Sequence, residues 1–340
     1  MKVLVVGGAG YVGSVLVEEL VCQGYEVRVL DRMYFGDVGL QLVKDSIEVV
    51  VGDMRSFQPE VLDGIDAVIN VGGLSNDPCS EYNPEANHQM NVVATLRLAR
   101  ECWNRGIERF IFASTCSIYD SGLSEGCDIV QDEYAIVKPE FAYSLSKYEA
   151  ERGLLDMAVR KFCPVILRKG TIYGYSPRMR YDLVVNTFVA HALSKGYITV
   201  FNGGEMWRPL IDIRDVARAY IACIEADADK VRGQIFNISY KNYRISELAL
   251  RVRQSLLEVG IDVGIKADYR DMPMRSYRVC TDKVRNTLGF VPEFPVELSV
   301  KCIVSKVAGG DFSHPRYYNI KWMKLLEETR SIIDVTGGVF

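Results

Sequence analysis

The chain has 340 residues, 49% of them hydrophobic, with 40 lysines and arginines against 44 aspartates and glutamates for a net charge of −4. That length allows one large or two medium domains around a substantial core, and the mixed, nearly balanced charge argues against a nucleic-acid or acidic-membrane partner. No apolar run approaches the roughly 20 residues that span a bilayer, and nine scattered cysteines without CxxC or Cys/His spacing read as reduced thiols of a cytoplasmic protein.

The first predicted element is a strand, Val3-Leu-Val-Val6, whose unbroken apolar run suits burial on both faces. It enters the chain at residue 3, which leaves no room for a signal peptide. Directly after it comes Gly7-Gly-Ala-Gly-Tyr-Val-Gly13, and a helix follows with Val12, Leu16 and Leu20 at helical spacing. Gly8, Gly10 and Gly13 satisfy G-x-G-x-x-G, and Gly7, Gly10 and Gly13 satisfy G-x-x-G-x-x-G. A glycine motif alone is weak, but here the strand before it and the helix after it are both present. The glycines permit a tight turn and close backbone approach to a pyrophosphate, and the helix start offers free N–H groups to the phosphates. The second strand, Glu26-Val-Arg-Val-Leu30, ends in Asp31, near the distance at which an acidic side chain meets the ribose hydroxyls of a bound dinucleotide. Asp31 would repel a 2′-phosphate, so NAD is favoured over NADP; Arg32, next in sequence, is what keeps NADP as the minority reading.

Strands then recur at Ile47–Val51, Ala67–Asn70, Arg109–Ala113 and Pro164–Arg168, with helical stretches between several of them, notably about 85–105 and 141–161. That alternation predicts an α/β fold, a Rossmann-type doubly wound parallel sheet. Beyond about residue 170 the rhythm breaks. Helices near 182–195, 213–226, 245–259 and 318–328 and short strands at Ile198–Phe201 and Gln234–Ile238 read as a smaller C-terminal α/β substrate lobe. The expected division is 1–169 for the cofactor domain and 170–340 for the substrate lobe, with the chain crossing back to the main sheet around 211–239. His88, His191 and His314 are far apart, and no metal site follows from them.

On the predicted helix 141–161, Tyr143 and Lys147 lie at i and i+4 and share a face. An ammonium beside a phenol stabilises the phenolate, drawing the tyrosine down from about 10 toward working pH and making a general acid/base for an alcohol or ketone. The same pair also meets on many solvated helix faces, so the spacing alone leaves both readings open.

These motifs together resemble the extended short-chain dehydrogenase/reductase superfamily, in its NAD-dependent nucleotide-sugar epimerase/dehydratase branch, over nearly the whole chain. The resemblance implies cofactor contacts at Gly7, Gly10, Tyr11, Val12 and Gly13, at Asp31 and Arg32, and at Asp53 and Met54 after the third strand. It implies further ones at Val71, Gly72 and Gly73 after the fourth strand, at Asn91 on the following helix, and at Ser114, Tyr143 and Lys147. After the fifth strand the family carries a Ser/Thr-rich turn ending in Val-Tyr-Gly; here it reads Ser114-Thr-Cys-Ser-Ile-Tyr119, with Asp120 where glycine is usual. Thr115 falls on the catalytic Ser/Thr position, from which its hydroxyl would bond the reacting sugar oxygen and relay its proton to Tyr143; a plain strand-end cap is the bland alternative. Dehydratases of the family carry an acidic pair at the next two positions, and related decarboxylases a glutamate at the second. Cys116 and Ser117 stand there instead, which argues against both reactions, and Cys116 reads as a packing residue rather than a nucleophile.

In the second half, Tyr173-Gly174 with Pro177-Arg-Met-Arg180 resembles the family's Tyr-Gly-Pro-Arg segment, and Asn186 falls where an asparagine often contacts the substrate pyrophosphate. Trp207-Arg-Pro-Leu-Ile-Asp-Ile-Arg-Asp-Val-Ala217 resembles a segment that makes Arg208 a phosphate clamp, with Arg270 or Arg275 as a second. Guanidinium suits phosphate because its donors are planar and always charged; any single arginine here reads as well as a solvated ion pair. Ser75, Thr115, Cys116, Ser117 and Arg180 complete the expected substrate contacts. Lys169 stands where an aromatic or small apolar residue often packs against the nicotinamide. The activity implied is a nucleotide-sugar epimerase, most simply a 4-epimerase, that holds NAD and passes through a keto-sugar. A keto-reductase consuming external NAD(P)H uses the same residues once, and a non-catalytic NAD(P)-sensing protein is the third reading. The family usually forms homodimers through helices near 87–105 and 141–161.

Overall fold

Seven parallel strands run through the centre of the molecule, a computed structural model that describes residues 1–122, 129–269 and 275–336. They are β1 (Lys2–Val6), β2 (Glu26–Asp31), β3 (Ile47–Val51), β4 (Ala67–Asn70), β5 (Arg109–Thr115), β6 (Cys163–Lys169) and β7 (Gln234–Ile238). Their order is β7-β6-β5-β4-β1-β2-β3, with every neighbouring pair parallel. This is the doubly wound sheet that the alternation predicts. Side chains alternate across it, as the strand period of two requires. Val3 and Val5 of β1 face one core with Leu16, Val17 and Leu20 of α1 (Tyr11–Cys22). Leu4 and Val6 face another core with Leu98 and Cys102 of α2 (Thr95–Asn104) and Leu154 of α3 (Ala142–Asp156).

Two positions show why the turn after β1 is written in glycine. Gly7 has φ +82°, and a Cβ there would lie 2.7 Å from the Gly72 Cα. A Cβ on Gly13 would lie 2.1 Å from the Gly7 carbonyl oxygen. Any side chain at either place would force apart the turn and the strand ends.

A third core lies beyond the sheet. Val185, Phe188 and Val189 of α4 (Val184–Lys195) pack there with Leu248 and Val252 of helix Ile245–Leu257 and Val300 and Ile303 of helix Val296–Val307. A small sheet joins Lys241–Arg244, Trp207–Asp212 and Thr171–Tyr173. The sequence reading took Trp207–Asp212 only as a motif. Pro209 within it lacks an N–H, which speaks against a strand between two partners, yet the segment pairs on both sides, with Pro209 opposite Asn242. The predicted helix 141–161 is shorter than expected. It stops at Asp156, Met157 turns back onto the Leu154 carbonyl, and a Val159–Phe162 bridge swings the chain into β6. Among the described residues no helix is long and apolar enough to cross a membrane.

Candidate active site

The strand order reverses at β1, between β2 and β4, and the crevice at the carboxyl ends of such strands is where doubly wound folds bind ligands. A cavity of about 400 Å³ lies there, lined by Gly7, Gly10, Tyr11, Val12 and Gly13, by Val71, Gly72 and Gly73, and toward β2 by Asp31, Arg32 and Met54. Helix α1 starts from Gly10 with no side-chain cap, so its first N–H groups remain available to an anion.

Asp31 is held by its own loop. Its Oδ2 accepts from the Ala9 N–H at 3.0 Å and its Oδ1 from the Met33 N–H at 2.7 Å. Burial pushes its carboxyl above the ordinary value, and those N–H groups and the charge of Arg178 pull it back. Arg32 turns to Asp53 (2.9 Å) and lies 4.2 Å from the Tyr34 ring centroid. Asp53 is also gripped by Arg55, with Nη2 to Oδ2 at 2.7 Å; burial pushes its carboxyl up, but the two guanidiniums outweigh it and leave it low. A fixed carboxylate at the ribose position and an arginine already paired suit NAD rather than NADP. Replacing Asp31 with alanine is expected to weaken NAD binding at least about tenfold and to narrow the preference over NADP; calorimetric titration with both dinucleotides checks this.

Gly73 lines the cavity, and Asn91 and Lys147 stand close behind it. Asn91 lies in a π-helical stretch, Gln89–Ala94, that runs straight into α2; such bulges recur at functional sites. Its amide donates to Leu74 O (3.0 Å), Asn87 Oδ1 (2.7 Å) and Ser146 Oγ (3.1 Å), while its Oδ1 is buried with no hydrogen-bond partner. A Cβ on Gly73, where φ is +125°, would lie 2.1 Å from that Oδ1 and 3.8 Å from Lys147 Nζ. An orphaned acceptor, a corner kept open by glycine and a buried ammonium fit the ribose of a bound dinucleotide.

Tyr143 stands one helical turn before Lys147 on α3, near enough to Thr115 at the end of β5 for that hydroxyl to favour its ionised form. The expected depression of its pKa is not found. Burial, seconded by Asp77, pushes the phenol up to about 12, against the opposing pull of Arg180, Thr115 and Arg275. Lys147 is itself buried and drawn down to about 8, with Glu151 raising it. Its Nζ is 4.8 Å from the Phe112 ring centroid and close to the Gly73 corner. The lysine thus stands behind the Gly73 corner, and two arginines lend the phenol its positive field.

Behind these residues runs a buried chain of bonds. The Ser114 hydroxyl donates to Glu151, Glu151 pairs with Arg168 (2.6 Å), Arg168 donates to Tyr119 (2.7 Å), and Tyr119 donates to Asn237 of β7 (2.8 Å). Ser114 is expected at the cofactor, but its hydroxyl is spent on Glu151. Lys169 does not project toward the cavity as an apolar residue would. Its buried Nζ donates to the Ser114 carbonyl at 2.6 Å, and burial holds it well below the ordinary lysine value.

Of the expected substrate contacts, Ser75 and Arg180 meet at 3.2 Å beside the cavity, and Arg180 is paired with Asp182 at 2.8 Å. Arg275 pairs with Asp77 at 2.5 Å and lies over Phe141 at 4.2 Å, close enough to act on Tyr143. Arg208 donates to the Trp207 carbonyl (2.9 Å) and to that of Arg275. Asn186 departs from its expected task. Its Oδ1 accepts from the Gly174 N–H (3.1 Å), and its amide donates to the Tyr11 hydroxyl (3.0 Å) and the Arg180 carbonyl (2.9 Å). Both its N–H donors are committed, to Tyr11 and Arg180, leaving none for a phosphate. The Tyr11 hydroxyl likewise donates to the Gly174 carbonyl at 2.7 Å. Cys116 is sealed, its thiol bonded to the Arg168 carbonyl (3.1 Å) and pushed up by burial. Ser117 Oγ accepts from Thr115 at 3.0 Å. Arg270 lies outside the described residues. Among the described residues no three His, Cys, Asp or Glu side chains cluster as metal ligands would.

Sequence reasoning missed Glu151 and Arg168. Glu151 sits four residues past Lys147 and eight past Tyr143, a helical spacing that could have flagged it. It also missed Phe35, Arg178, Asn319 and Trp322, which line the cavity from distant parts of the chain; no local pattern links them.

A family model described as the NAD-dependent epimerase/dehydratase family matches residues 3–239. Among curated proteins, a UDP-glucose 4-epimerase of Lactobacillus helveticus is 26% identical, over 94% of this chain and all of its own. A UDP-glucuronic acid decarboxylase of Xenopus tropicalis is 25% identical, over 87% of this chain and 69% of its own. Among solved structures, MoeE5 in complex with UDP-glucuronic acid and NAD superposes with a TM-score of 0.75 at 25% identity, covering 96% of this chain and 100% of that one. The UDP-glucose 4-epimerase of Thermotoga maritima shares the fold at a TM-score of 0.78 and 23% identity, covering 90% and 98%.

Proposed function

Because this chain belongs to the NAD-dependent epimerase/dehydratase family, we propose that it inverts a hydroxyl-bearing carbon, C4 in the simplest case, of a nucleoside-diphosphate sugar. NAD, when bound, supplies a hydride acceptor that later returns the hydride. Tyr143 takes the proton from the sugar hydroxyl as that carbon is oxidised and gives it back on reduction. Thr115 orients the reacting oxygen and relays its proton. Lys147 and Asn91 hold the cofactor ribose, and Arg180 and Arg275 bind substrate phosphate and stabilise the phenolate in a buried setting where charges act strongly.

The observation that carries this reading is Tyr143 set near the Thr115 hydroxyl, with Cys116 and Ser117 in place of carboxylates at the next two positions. Proton transfer to one oxygen is provided for, and the two positions after Thr115 carry no acid to expel water. UDP-glucose and UDP-glucuronic acid, held by MoeE5, are the first substrates to try. The purified protein is expected to interconvert C4 epimers with no added cofactor and to release NAD on denaturation. A strict requirement for added NAD(P)H, consumed one for one, would sink the reading in favour of a keto-reductase.

The same reading pairs two copies through the helices near 87–105 and 141–161. Val93, Trp103 and Leu145 are exposed on those helices, which supports an interface there; light scattering of the eluting protein tests it.

A further inference from the structure

Arg178 presents a physical problem that the proposed reaction does not resolve. It is 3% exposed, yet no ion pair involves it among the described residues. Its Nη2 donates to Asn319 Oδ1 at 2.5 Å and, at the limit of hydrogen bonding, to the Arg316 carbonyl at 3.5 Å. Its Nε is buried without a partner. Its guanidinium carbon stands 3.5 Å from the Phe35 ring centroid. Burial and the like charge of Arg180 draw it down to about 9, against the opposing pull of Asp182. Asp182 and Asp31 feel its charge but neither pairs with it, and a buried guanidinium without a paired carboxylate is costly to fold around unless an anion completes it.

The surroundings say which anion. Arg178 shares the walls of the cavity with Gly10, Tyr11, Val12 and Gly13 at the start of α1, and its charge is felt by both Asp31 and Tyr11. It therefore shares one cavity with the ribose-reading carboxylate and the helix start whose N–H groups suit phosphate. We infer that Arg178 is the side-chain counter-ion for the diphosphate of the bound dinucleotide. This rests on the reading that the chain binds NAD. Two arginines two residues apart then serve two anions: Arg178 the cofactor diphosphate, and Arg180, which acts on Tyr143 and pairs with Asp182, the substrate. Asn319 stands at the start of the last helix, Asn319–Thr336, whose Trp322 Nε1 donates to the Tyr34 carbonyl at 2.5 Å. The bond from Arg178 to Asn319 thus ties the clamp to the element that roofs the crevice.

The test uses the full chain freed of bound nucleotide, titrated calorimetrically with NAD, ADP-ribose and adenosine. Arg178→Met is expected to lower affinity for NAD and ADP-ribose by about tenfold or more and to leave adenosine nearly unchanged. Arg178→Lys, which keeps a cation without the fork, is expected to fall between the two. If the methionine variant does not fold, the lysine variant carries the same comparison. A ratio of NAD to adenosine affinity that stays within about threefold of wild type, less than 1 kcal/mol, would overturn the inference and leave Arg178 a packing residue. Failure of the wild-type chain to bind NAD at all would instead sink the cofactor reading beneath it.

Discussion

Tyr143→Phe is expected to lower epimerisation by about 10²–10⁴-fold, the span that a positioned general acid/base contributes, while the protein still carries its NAD. Phenylalanine keeps the ring and loses only the hydroxyl that meets Thr115, and the glycine turn, Asp31 and Asn91 are untouched. The wild-type rate should climb with pH from the neutral range. A phenol held at about 12 is mostly protonated there, and its basic fraction grows as protons become scarce. The variant should lose that rising limb. Turnover and bound NAD measured on the same preparation decide the matter. Equal turnover in the two proteins would remove Tyr143 from the reaction, and lost NAD would make it a cofactor-binding residue instead.

Lys147→Met is expected to move activity and stability in opposite directions. Activity should fall by about 10²-fold or more as the cofactor wall loses its cation. Stability at pH 7 should rise. Lys147 is held near 8 in the folded chain, against an ordinary 10.5, so the unfolded chain binds its proton more tightly. Below pH 8 both states are protonated and folding bears the whole cost of burying the charge, roughly 3 kcal/mol. Between about 8 and 10.5 the folded state alone has released its proton, and that cost fades as pH rises. The gain from methionine should therefore be largest at and below neutrality and shrink toward pH 10. Glu151 is not orphaned by the change, since Arg168 holds it at 2.6 Å. Urea denaturation of both proteins at pH 7 and pH 10 measures this. A variant no more stable than wild type at pH 7 would mean the lysine is solvated rather than buried.

Local chemistry made much of the molecule legible in the sequence. The strand–glycine–helix passage from Val3 to Leu20 and the carboxylate at Asp31 announce themselves because each depends on neighbours a few residues away. The apolar runs of the sheet strands are legible for the same reason. Asn186 shows where that stops: its identity suggests a phosphate contact, but its bonds to Gly174, Tyr11 and Arg180 appear only when three distant segments meet. The ionisation of Tyr143 was misread for a related reason. Spacing fixes that Lys147 is a turn away, but burial decides how much the phenol resists ionising, and burial comes from the whole fold. Arg178 lay in a motif read for its neighbour Arg180, because only packing distinguishes an arginine with a carboxylate from one without.

The bonded chain from Ser114 through Glu151, Arg168 and Tyr119 to Asn237 bears on the order in which the protein is made. Every group proposed to handle protons has been added to the chain once Lys147 is synthesised. Arg168 and Tyr119, which steady that helix from beneath, wait for Asn237 on the last strand to join the sheet. A nascent chain ending before β7 holds the reactive side chains without the far anchor that fixes them, so activity should emerge late in synthesis, with closure of a long-range contact.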